Sequence, residues 1–157
     1  MQGINIAEQC HVVNVLPPID ISGGKDGDRF SMENYGHATI IIQVGVSAAA
    51  WTAVTVKECN AASGGTANAI GFSYYAETTD SGDTLGARTT VAATGITSPS
   101  ANNNIMYVIE IDASQLTDGY QWIELNLTNG SNSVIASAVA ILSGSRYAND
   151  QSETAIA

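Results

Sequence analysis

A chain of 157 residues, 45% hydrophobic and 13% charged, is long enough to bury a core of its own as one domain. Its net charge is −10, and its five cations, Lys25, Arg29, Lys57, Arg88 and Arg146, are scattered. That excludes the clustered Lys/Arg by which nucleic acid or an anionic membrane is bound, and no run of about eighteen apolar residues is present to span a bilayer.

Residues 1–10 are polar with isolated apolar side chains and read as an N-terminal arm. They lack the basic and apolar regions of a secretory signal, so synthesis in a cytosol is expected, with Cys10 and Cys59 as reduced thiols rather than a disulfide. His11 to Leu16 reads as a strand stopped by Pro17-Pro18; proline lacks the ladder donor, so this strand belongs at an edge. Ser22 to Asp28 is a loop whose Asp26 and Asp28 fall short of the six or seven oxygens a calcium site takes.

The most β-prone stretch follows. Ala38, Ile40, Ile42, Val44 and Val46 share one side of an extended chain, with Thr39, Ile41 and Gln43 on the other. This is the period of two of a half-buried strand. Val54 and Val56 alternate with Thr55 and Lys57 in a second strand, expected to lie antiparallel beside the first. After the glycine turn 61–66, Ala69 to Ala76 reads as a third strand with Ile70, Phe72 and Tyr74 on one face. Asp80 and Asp83 lie in a polar turn and again lack a full metal-ligand set. Arg88 to Thr94 alternates weakly, and Gly95 to Asn104, with Pro99, is a loop.

Ile105, Tyr107, Ile109 and Ile111 form one face of a strong strand, and Met106 and Val108 on the other imply partial cover there too. Asp112 to Leu116 reads as one helical turn capped by Asp112. Gln121 to Leu127 and Val134 to Leu142 read as a hairpin about Asn129-Gly130. A two-residue loop would set Leu125 opposite Val134; a three-residue loop would set it opposite Ile135. The first is preferred because it aligns Ile123, Leu125 and Leu127 with the stripe Val134, Ala136, Ala138 and Ala140. The polar residues 149–157 read as a C-terminal tail, leaving 11–148 as a single β-domain. The expected fold is an all-β antiparallel sandwich or jelly-roll-like barrel of about eight to nine strands behind an N-terminal arm.

Sequence patterns for chemistry are weak. His11 and His37 are the only histidines; zinc takes three or four ligands, and the neighbours Cys10 and His11 point to opposite faces of a strand, so no site built from both is expected, and His37 reads as a hydrogen-bonded structural or surface group. No serine sits in a G-x-S-x-G setting. Glu110 and Glu124 are the candidate carboxylate pair for glycoside hydrolysis, against the plainer reading of solvent-facing strand positions. Trp51, Trp122, Tyr35, Tyr74, Tyr75, Tyr107, Tyr120 and Tyr147 would line a sugar-binding face if exposed in a row, and otherwise serve a core or subunit interface.

The stretch Asp28-Arg29-Phe30-Ser31-Met32-Glu33-Asn34-Tyr35-Gly36-His37 leading into an Ile/Val strand resembles the front half of small β-rich proteins of tailed-phage head gene clusters. Val54-Thr55-Val56-Lys57-Glu58-Cys59-Asn60 and Ala69-Ile70-Gly71-Phe72 continue the likeness. Tyr107 to Leu116 and Ile141 to Tyr147 carry it through the back half, so that it covers residues 12–148. The family resembled is the head decoration, or cement, proteins. The resemblance implies a virion protein on the capsid exterior, made in the bacterial cytoplasm, non-enzymatic and without cofactor or metal. It would act as a homotrimer bound to the major capsid protein. The segments expected to make assembly contacts are the arm, with Ile4, Ile6 and Ala7, and the segment of Arg146 and Tyr147, because exposed termini commonly order on binding. The competing expectations are a carbohydrate-binding module of a tail or fibre, a tail-tube or terminator protein that forms rings, and, behind these, a hydrolase.

Overall fold

The computed structural model describes residues 3–146. They form two antiparallel sheets packed face to face, a β-sandwich. Twelve strands run in chain order: β1 (His11–Asp20), β2 (Lys25–Asp26), β3 (Phe30–Ser31), β4 (Tyr35–Ser47), β5 (Ala53–Cys59), β6 (Ala67–Ile70), β7 (Phe72–Glu77), β8 (Thr89–Val91), β9 (Ile96–Thr97), β10 (Ile105–Asp112), β11 (Trp122–Thr128) and β12 (Val134–Ser145). Four of them span only two or three residues, leaving eight longer ones. The front sheet has the order β1-β12-β4-β10-β7-β8; the back sheet is β2-β11-β5-β6, with β3 beside β11 and β9 beside β5.

The alternating residues meet between the sheets. Ala38, Ile40, Ile42 and Val44 of β4 and Ile105, Tyr107, Ile109 and Ile111 of β10 are buried. So are Val54 and Val56 of β5 and Ile123, Leu125 and Leu127 of β11. Each such isoleucine or leucine contributes about 1.5–3 kcal/mol of transfer free energy. Val46 departs from the expected face: it is 66% exposed, because the β12–β4 register slips between Val134 and Ala136 and the alternation breaks at that end.

Strand neighbours differ from the sequence expectation in two places. β4 and β5 are not paired: β4 lies between β12 and β10, and β5 lies in the back sheet beside β11. Nor do β11 and β12 form a hairpin, since β11 pairs β5 and β12 pairs β1 and β4. The stripe Ile123, Leu125, Leu127 and the stripe Val134, Ala136, Ala138, Ala140 do share the core, but from opposite sheets. The Asn129-Gly130 segment is a crossing between layers. The Asn129 amide donates to Asn132 O at 2.9 Å, and Gly130 O accepts from Gly23 N–H at 2.7 Å.

The expected third strand also divides. β6 belongs to the back sheet and β7 to the front, and the chain changes sheet at Gly71. A Cβ there would stand 2.7 Å from Val91 O, so the crossing needs glycine. The first strand is an edge strand, as its prolines predict, yet it continues through Pro17-Pro18 to Asp20 by two register shifts. Bulges at a sheet edge accommodate residues that cannot donate. Asp112 precedes a single 3₁₀ turn, Ala113–Gln115, where the Gln115 side chain accepts from Asp112 N–H at 2.7 Å.

Candidate functional site

Antiparallel pairing sets the end of β12 against the starts of both its neighbours: Leu142 faces His11 of β1, and Ser145 faces Tyr35 of β4. The arm and the residues after β12 therefore leave from the same end of the sandwich. The arm contains one α-helical turn, Ile6–Gln9, closed by Cys10 N–H donating to Ile6 O at 2.9 Å. Ile4 is 79% exposed, Ile6 45%, and Ala7 is exposed as well. None of the three joins the core. Arg146 is exposed, its backbone N–H donating to Asn34 O at 2.9 Å. It borders a cleft of about 230 Å³ with Met32, Glu33, Leu116 and Tyr120. Ile4, Ile6, Ala7 and Arg146 are thus brought to one end; Tyr147 and the 149–157 tail lie outside the described residues.

Two ion clusters stand on the outer faces, and sequence reading missed both as clusters. On the front sheet, His37 of β4 lies opposite Asp112 of β10. Its Nδ1 is 2.7 Å from Asp112 Oδ1 and its Nε2 2.7 Å from Glu110 Oε2, which also accepts from Thr39 Oγ1. Burial opposes the charged ring, but the bonds to Asp112 and Glu110, with their charges, outweigh it and hold the His37 pKa above its ordinary value. With carboxylates on both nitrogens, the bonded form is the imidazolium, which donates from each.

On the back sheet, Glu124 of β11 is buried beneath two cations. Arg29 Nε donates to its Oε2 at 2.7 Å and Lys57 Nζ to its Oε1 at 2.9 Å. Burial raises the Glu124 pKa, and the bonds from Lys57 and Arg29 more than reverse this, so the group titrates below its ordinary value. Arg29 also donates to Ala61 O and Gly64 O, tying the glycine turn to the sheet. Asp26 lies 3.8 Å from Lys57 Nζ and accepts from the Asn126 amide.

Glu110 and Glu124 are therefore not brought together: both point outward from their sheets, Glu110 half-buried against His37 and Glu124 covered by its two cations. Each alternates with core residues, Ile109 and Ile111 in one case and Ile123 and Leu125 in the other, so they stand on opposite outer faces with the core between. The His37 ring holds its two carboxylates on opposite nitrogens, so their oxygens do not converge on one point. Among the described residues no group of three or more His, Cys, Asp or Glu side chains is arranged to hold a metal. Asp80 accepts from Ser81 Oγ within its turn and from the Asn104 amide of the loop before β10. Cys10 and Cys59 are free thiols, Cys59 buried.

Among the described residues the aromatics form no outward row. Phe30, Tyr35, Trp51, Phe72 and Tyr107 are buried, and Tyr74 packs on that core. Trp51 meets Tyr107 edge to face with centroids 6.2 Å apart, and its indole N–H donates to Ser100 O at 3.3 Å. Tyr75 and Trp122, both half-buried, lie on strands of different sheets. No helix among the described residues is long and apolar enough to cross a membrane. In comparisons with known proteins, no family model matches the chain, and neither does any curated protein or solved structure.

Proposed function

We propose that the chain is a structural virion protein that decorates and cements the exterior of a tailed-phage icosahedral capsid, bridging neighbouring major capsid subunits as a homotrimer. The observation that carries this reading is the arm. Ile4 and Ile6 are exposed outside a complete core, on a segment leading into edge strand β1. Apolar side chains that the fold does not use are available to a neighbour. The work is mechanical: a modest contact per copy, repeated by symmetry, gives avidity and resistance to internal pressure without a catalytic step.

A carbohydrate-binding module would present stacked aromatics to solvent, and the described aromatics lie mostly in the core. The test is to mix purified protein with heads of its phage lacking it and sediment them. The expected result is saturable co-pelleting and heads that withstand higher temperature. Absence of co-pelleting, with retention on a glycan array, would move the reading to the sugar-binding class; rings in negative stain would move it to a tail-tube protein.

A further inference from the structure

The chain crosses from β10 of the front sheet to β11 of the back sheet through residues 113–121, and this crossing is tied down at its start, middle and end. At the start Asp112 Oδ1 is held by His37 Nδ1 at 2.7 Å. In the middle Thr117 N–H donates to Glu58 Oε2 at 2.8 Å. At the end Gln121 O accepts from Met32 N–H at 2.8 Å. Of these ties, the first depends on an imidazole proton, which comes and goes near neutral pH. Between the ties, Ala113 and Leu116 pack on the core and help to line the cleft of about 230 Å³ that Arg146 borders.

His37 has a carboxylate on each ring nitrogen, and a neutral imidazole has one N–H. Loss of the proton therefore sets a bare nitrogen against a carboxylate oxygen at 2.7 Å, two acceptors with no hydrogen between them, and one pair has to part. The surroundings decide which. The Glu110 side chain is 28% exposed, lies within β10 between β4 and β7, and also accepts from Thr39 Oγ1 at 2.7 Å. The Asp112 side chain is 64% exposed at the last residue of β10, where water takes over its bond at little cost. The other groups around the ring bring no competing charge. β12 sets Ser143 opposite His37, β7 sets Ser73 opposite Glu110, and the turn 113–115 contributes Ala113, Ser114 and Gln115. On β4 itself Tyr35 and Thr39 stand two residues away, and His11 of β1 stacks on Tyr35 with ring centroids 6.0 Å apart. β4, β10 and β12 carry no lysine or arginine, and Arg146, past the end of β12, is exposed.

We infer that His37 is a proton-operated latch on this crossing: the charged ring ties β4 to both Glu110 and Asp112, and the neutral ring keeps Glu110 through Nε2–H, releases Asp112 and frees the turn of residues 113–116 that walls the cleft. Burial opposes the charged ring, yet the bonds to the two carboxylates hold its pKa above the ordinary value. The latch is therefore closed in mild acid and opens as pH rises through the folded value.

The test follows the ring nitrogens and the backbone of isotopically labelled wild type and Asp112→Asn by NMR from about pH 6 to about pH 9, either side of the ordinary histidine value. In wild type the neutral ring should carry its proton on Nε2, with Nδ1 bare. Over the same titration the backbone order parameters of Ser114 to Leu116 should fall from about 0.85 toward about 0.6, while Ile109 stays rigid. Asp112→Asn should remove the pH dependence of the turn, because its amide accepts from Nδ1–H or donates to bare Nδ1. A neutral ring protonated on Nδ1 would overturn the inference, and so would a turn equally ordered across the titration. Loss of order in Asp112→Asn matching that of wild type would overturn it as well. The tautomer is read on wild type alone, so it remains decisive even where the variant does not fold.

Discussion

His37 is the residue whose protonation changes most nearly within the physiological range, and its environment fixes the sign of the effect. Its folded pKa is raised above the ordinary 6.5. The stabilisation is therefore complete below about pH 6.5 and is lost as pH rises through the folded value. His37→Gln should destabilise the protein by about 1 kcal/mol at pH 6, a figure reduced for partial solvent exposure, and by less at pH 9. Melts of both proteins at the two pH values test this, and an equal difference at both would refute it. Glu124 has the opposite sign, because its pKa is lowered. Its contribution is present above the ordinary carboxylate range and is lost as pH falls through the folded value. At neutral pH Glu124→Gln leaves Arg29 and Lys57 without their anion, and urea denaturation should show a loss of about 2–4 kcal/mol, somewhat below the cost of breaking a fully buried pair. Convergence of the two proteins in acid is the accompanying sign.

At the level of strands, the sequence shows which side of a strand is buried better than which strand lies beside it. The alternation in 38–44, 105–111 and 123–127 depends only on the pleat, so the buried sides follow directly. Pairing depends on whether a connection turns back within a sheet or crosses to the other. The Asn129-Gly130 signal favours a tight hairpin, but the bonds to Asn132 and Gly23 hold that segment open between layers. Apolar neighbours such as Ile40-Ile41-Ile42 and Val139-Ala140-Ile141 do signal a strand apolar on both faces. The ion clusters carry no comparable sign, since Arg29 and Glu124 are 95 residues apart. Gly71 tests the crossing. A methyl group there would meet Val91 O at 2.7 Å and Ala92 Cα at 3.4 Å. Relief would require moving β8 or the β6–β7 joint, so Gly71→Ala should cost about 1–3 kcal/mol. The expected record is a lower urea midpoint at unchanged slope; an unchanged midpoint would mean that the crossing tolerates a side chain.

For the whole molecule the question is whether fold and binding are separable. The core begins at Val13 and draws on both sheets. Among the described residues of the arm, 3–9 are exposed and Cys10 is half-buried. Removing residues 1–10 therefore takes away almost no buried apolar area, and the melt should shift by no more than a degree or two, since ~1 kcal/mol corresponds to a few degrees in a domain of this size. Binding should respond differently. If Ile4 and Ile6 are buried against a neighbour, each contributes roughly 1.5–3 kcal/mol, less the cost of ordering the segment. A trimer repeats the net gain three times, so the truncated protein should bind heads at least tenfold more weakly while remaining folded. Sedimentation with undecorated heads across a concentration series measures this. Equal affinity for truncated and full-length protein would show that the arm makes no assembly contact. A collapsed melt would instead show that the arm belongs to the fold.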